Sequence, residues 1–123
     1  MSNAEIIDEI NVAIGAHGKW KFKLKTAISK GESDVTPEVV KCDDKCVFGK
    51  WLYGPTIPDD LREGMPYMVV RRLHGEFHQI ASAVLQKALA GETDEAQNLL
   101  NGPFDVKSQI LTKALTKWKR ELQ

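Results

Sequence analysis

The sequence predicts an all-α fold, an antiparallel four-helix bundle with a short extra helix that carries a cysteine ligand. Three observations lead there. Apolar residues recur every three or four positions along most of the chain, the period of one helix face. No stretch reads as a convincing strand. The breaks between periodic stretches are short, which makes successive helices antiparallel neighbours.

The first helix is expected from Ala4 to about Lys30, on the stripe Ile6, Ile10, Val12, Ala13, Ile14, Trp20, Leu24, Ala27 and Ile28. The preceding Met1, Ser2 and Asn3, like Ala4 itself, are given no weight. His17 falls on this stripe between Gly15 and Gly18, and Gly31 is placed to stop the helix. Residues 31–45 form a polar loop in which Pro37 to Val40 make one short turn. The segment from Cys46 to Gly54 is dense in large apolar side chains. It predicts a short helix, capped from the acidic pair Asp43 and Asp44 and ended by Gly54-Pro55, with Cys46 in its first turn. After Pro58-Asp59-Asp60 a helical pattern runs to Ala90, with Pro66 placed to kink or break its beginning. Its stripe is Val70, His74, Phe77, His78, Ala81, Val84, Leu85 and Ala88. Glu92, Thr93 and Asp94 start the next helix, which Asn101-Gly102-Pro103 interrupts. The last helix, from about Phe104 to Leu122, is expected to bury Val106, Ile110, Leu111, Ala114, Leu115 and Trp118.

A chain of 123 residues is one domain by size, 1–123, able to bury one core. Its 17 basic and 17 acidic side chains balance, so no electrostatic attraction to nucleic acid or an anionic membrane is expected. No apolar run approaches the roughly 20 residues of a membrane span, and no signal-peptide pattern is visible, so a cytoplasmic location is expected. Two cysteines are too few for a disulfide framework, and in a reducing cytosol they point to a metal or redox role.

The chemistry concentrates on four residues. His74 and His78 stand four apart on a helix, one above the other on the same face. His17 comes from the first helix. Cys46, near a helix N-terminus, has its thiolate favoured. Bundles build metal sites from side chains on facing helices, and one thiolate with three imidazoles suits tetrahedral zinc. Four protein ligands close the coordination sphere, which argues against a zinc-bound catalytic water. Glu76 lies about 200° around the helix from His74, so the segment is no H-E-x-x-H protease site. The Glu-x-x-His pairs of a di-iron bundle, a phosphate loop and a Ser/His/Asp arrangement are all missing, and no enzymatic activity is expected. Trp20 and Trp51 are expected to be core residues packed beside the site.

Ala16-His17-Gly18-Lys19-Trp20, then Cys46-Val47-Phe48-Gly49-Lys50-Trp51-Leu52-Tyr53-Gly54, then His74-Gly75-Glu76-Phe77-His78 resemble the chemoreceptor zinc-binding (CZB) domains. The similarity spans about Ile6 to Leu122, and its most specific part is the cysteine segment, C-x-[FL]-G-x-W, which includes Gly49. The resemblance implies zinc ligation by His17, Cys46, His74 and His78. It also implies a cytoplasmic sensory module of bacterial chemotaxis or cyclic-di-GMP signalling. Such modules respond to zinc or to oxidants such as hypochlorous acid, tend to form homodimers, and act on a signalling output domain or chemotaxis partner.

Two functional readings stand at this level. In the first, oxidation of the Cys46 thiolate weakens its bond to zinc and frees the short helix, a redox switch. In the second, zinc is structural only and an exposed face, with Trp51 and Tyr53, docks a partner domain. Asp43 or Asp44 would supply acceptors around the ligands. Cys42 lies outside the family motif and is read as a bystander.

Overall fold

The computed structural model describes residues 2–123, and Met1 lies outside the described residues. Those residues form helices with no strand among them, as the periodicity predicts. In chain order the helices are α1 (Asn3–Gly18), α2 (Trp20–Lys30), α3 (Pro37–Lys41), α4 (Val47–Leu52), α5 (Asp59–Arg62), α6 (Met65–Leu89), α7 (Thr93–Leu99) and α8 (Asp105–Leu122). A π-helical turn, Leu100–Phe104, joins the last two.

Helix α6, 25 residues long, is the axis of the fold. It packs against α8, α3, α7 and α2, while α1 packs against α8. Its whole predicted stripe is buried, from Val70 through His74, Phe77, His78, Ala81, Val84 and Leu85 to Ala88. One contiguous core results, built on Ile6, Ile10, Leu24, Phe77, Leu100, Phe104, Leu111, Leu115 and Trp118.

Helix ends follow local chemistry. Ser2 caps α1, its hydroxyl accepting from the Glu5 N–H at 3.3 Å. Thr36 caps α3 in the same way, with Pro37 in the first turn where its missing N–H costs nothing. Gly31 ends α2 at φ 69°, a left-handed conformation that suits glycine.

Four expectations need correction. The first helix is not continuous: α1 ends at Gly18 and α2 starts at Trp20, a break that falls where two glycines weaken helix propensity. The third is broken at its beginning as expected, but the division falls before Pro66, at Gly64, which caps α6 and leaves α5 as a separate turn. Asn101-Gly102-Pro103 does not interrupt the next helix. Leu99 and Asp105 keep helical angles, and the widened π turn admits Pro103, so the backbone stays helical into α8. Finally, Val12, Val106 and Ile110 are exposed. They stand on the margin of their stripes, where no neighbouring helix covers them.

Candidate metal centre

Three histidines and a cysteine from three separate stretches meet in the core. His17 sits in the last turn of α1, His74 and His78 lie mid-way along α6, and Cys46 immediately precedes α4. One ligating atom from each falls within 4.8 Å of all the others. His74 Nε2 lies 3.1 Å from His17 Nε2 and 3.0 Å from His78 Nε2. Cys46 Sγ lies 3.4 Å from His74 Nε2 and 3.6 Å from His78 Nε2. Four donors around a tetrahedral zinc would stand about 3.3–3.6 Å apart, given Zn–N near 2.0–2.1 Å and Zn–S near 2.3 Å.

The tautomers support the same reading. His17 Nδ1 is 2.8 Å from the Ala13 carbonyl and His78 Nδ1 is 2.9 Å from the Val40 carbonyl. A carbonyl can only accept, so both Nδ1 atoms carry the proton and both Nε2 lone pairs point into the site. His74 Nδ1 is buried with no hydrogen-bond partner among the described residues, so none of them outside the cluster sets its tautomer. Facing lone pairs repel until a proton or a cation sits among them. The donor set, soft thiolate plus imidazole, is one that zinc accepts.

Burial sets the protonation states. His17 is pushed down to about 4 by desolvation, against the pull of the Ala13 carbonyl. His74 falls to about 2, through burial and the neighbouring His78 and His17. His78 is lowered by burial despite the Val40 carbonyl and the charge of Asp43. All three are neutral near pH 7, the form that ligates a metal. Burial pushes the Cys46 thiol up, while the N–H groups of Gly49 and Phe48 pull it down. A cation in the site would drop it decisively.

Cys46 is placed one residue earlier than expected. It is the N-cap of α4, its Sγ accepting from the Gly49 N–H at 3.3 Å. The acidic pair therefore does not cap α4, because the sulfur has taken the capping position. Around the ligands, Phe48 meets His17 and His74 edge-on, with centroids 5.9 and 5.2 Å apart. Phe77 meets His17 at 5.2 Å. These rings keep solvent from the site.

The sequence model of one family, described as the chemoreceptor zinc-binding domain, matches residues 17–85, more than half of the chain. The chain belongs to the chemoreceptor zinc-binding domain family. Comparison with curated proteins and with solved structures returned no match. The matched stretch begins at His17 and takes in Cys46, His74 and His78, so the family segment holds the whole cluster.

Other residues of this CZB domain sort less evenly. Trp20 and Trp51 are half-buried rather than core: Trp20 packs 6.4 Å from the His78 ring, and Trp51 packs on Phe48 and Trp118. Trp118 is the tryptophan that is fully buried. Asp43 is half-buried and accepts from the Tyr53 hydroxyl at 2.5 Å, whereas Asp44 is exposed. Tyr53 is raised to about 12 by burial and by that bond. Cys42 ends α3 on the surface, its thiol donating to the Glu38 carbonyl at 3.4 Å. Glu76 points to Lys107 of α8 at 2.7 Å, away from the histidines. Sequence reasoning missed the Val40 carbonyl on His78, since a backbone acceptor leaves no mark in residue identity. It also missed the role of Phe48, although a large ring between two motif residues was a usable signal.

Proposed function

We propose that this CZB domain is a cytoplasmic sensory module of bacterial signal transduction, with zinc held by His17, Cys46, His74 and His78 and with Cys46 as its oxidant-sensitive element. One observation carries the reading: Cys46 is at once a member of the cluster and the cap of α4. Zinc, when bound, supplies a charge that keeps the thiol ionised.

Hypochlorous acid converts a thiolate to sulfenic acid and chloride. Sulfur loses two electrons, chlorine gains them, and the hydroxyl oxygen ends on sulfur. The product sulfur is neutral and a poorer acceptor. Two holds on α4 then weaken together, the bond to the cluster and the Gly49 N–H bond. The three histidines sit on helices α1 and α6, of 16 and 25 residues, whereas α4 has six. The response is therefore confined to the short segment, and an output domain or a second copy of the chain reads its movement. Cys42, with its sulfur turned to Glu38, is not needed for it.

The test is to treat the zinc-loaded chain with substoichiometric hypochlorite. Zinc release, sulfenic acid at Cys46 by mass spectrometry, and a loss of helicity absent in Cys46→Ser are the expected results. Oxidation of Cys46 with zinc retained and helicity unchanged would favour a purely structural metal in an interaction module.

A further inference from the structure

Of the glycines that lie inside helices without a left-handed angle, two are set close against another segment of the chain. Gly49 is in α4, and Gly75 is in α6 beside His74. Both make room for one residue, Asp43. A Cβ on Gly49 would overlap the Asp43 carbonyl, and a Cβ on Gly75 would stand 3.2 Å from Asp43 Oδ2. The same Oδ2 accepts from the Tyr53 hydroxyl at 2.5 Å. The Tyr53 ring is in turn covered by the Arg71 guanidinium, 5.7 Å from its centroid. Helix interiors disfavour glycine, so two such positions converging on one residue, Gly49 on its backbone and Gly75 on its carboxylate, mark it as a wedge whose seat matters.

We propose that Asp43 is the positioning residue of the Cys46 loop: seated in the notches of Gly49 and Gly75 and gripped by Tyr53, it holds the Cys46 sulfur against the imidazoles. The proposal rests on the reading of the cluster as a zinc site. Two residues separate Asp43 from Cys46, and its two anchors lie on both sides of the sulfur, α4 after it and α6 beneath it. With the wedge in place, the loop has one path from α3 to α4. Without it, the sulfur is tied only by its own bonds. Family ligands alone do not account for Tyr53 or Gly75, and this arrangement does.

The experiment uses the full chain carrying Cys42→Ala, so that Cys46 is the one thiol. Zinc affinity is read by competition with a chromophoric chelator, and Cys46 exposure by its iodoacetamide alkylation rate without metal. Asp43→Ala should weaken zinc by about tenfold or more, as losses of supporting partners do. It should also speed alkylation of the metal-free thiol. Tyr53→Phe should shift both in the same direction by less, and it stays informative should Asp43→Ala fail to fold. Gly75→Ala makes α6 a better helix yet should weaken zinc, and it should add no further loss when Asp43 is already alanine. Unchanged affinity and alkylation in Asp43→Ala and Tyr53→Phe would overturn the proposal. So would an equal loss from Gly75→Ala with and without Asp43. If the chain binds no zinc at all, the metal reading falls, and the alkylation rates alone decide for or against the wedge.

Discussion

The Nδ1 of His78 lies 2.9 Å from the Val40 carbonyl, which ties the short helix α3 directly to the histidine–cysteine cluster. Four residues further along α6, the Ser82 hydroxyl donates to the Pro37 carbonyl at 2.7 Å. These two bonds fasten both ends of α3 to the helix that carries two of the four donors. The segment leading to Cys46 is therefore anchored before it reaches the site.

Removing one fastening should loosen α3 measurably. Ser82→Ala is expected to cost about 1 kcal/mol, the usual net worth of such a bond. Urea denaturation of the metal-free chain gives the loss, and hydrogen exchange should quicken within residues 37–41. Uniform exchange changes along α6 instead would mean that α3 is not independently held.

Single ligand variants should lose the metal. His17→Ala and His74→Ala, purified without added zinc, are expected to contain far less zinc than the parent by elemental analysis. Full occupancy in both would remove the four-residue site. The variants should remain helical, because the apolar stripes of α1, α6 and α8 specify packing without the metal.

The metal-free chain should lose stability on acidification. His17 and His74 have folded values of about 4 and about 2, below the roughly 6.5 of an unfolded histidine. Below about pH 6.5 the unfolded chain takes up protons that the folded chain refuses, so stability rises with pH in that window and is level above it. The slope should reach about 1.4 kcal/mol per pH unit for each histidine involved. It should continue through pH 4, where His17 protonates in the folded state, and flatten only as His74 does. Urea midpoints between pH 7 and pH 4 check this, and the His17→Ala, His74→Ala double variant should show a shallower decline.

Tryptophan truncations should separate the core from its margin. Trp118 is 1% exposed and packs against Tyr67 and Trp51, so Trp118→Ala is expected to cost about 3–5 kcal/mol. Trp51 is half-buried, and Trp51→Ala should cost clearly less. A larger loss at Trp51 would show that its ring supports Phe48, and through it the site, more than area implies.

Periodicity and residue chemistry by themselves determined the all-α class and the buried face of α6, and they singled out His17, Cys46, His74 and His78 as candidate donors. A helix face repeats in sequence, and a histidine pair four apart shares that face wherever the helix packs. Tertiary structure decided which stripe margins stay exposed, as at Val106 and Ile110, because coverage depends on a neighbour remote in the chain. It also decided that Cys46, not Asp43 or Asp44, caps α4, since the sulfur is drawn there by packing against α6. The Val40 carbonyl on His78 and the seat of Asp43 against Gly49 and Gly75 belong to the same class. Each depends on how closely two backbones approach, a distance that no spacing along one chain encodes.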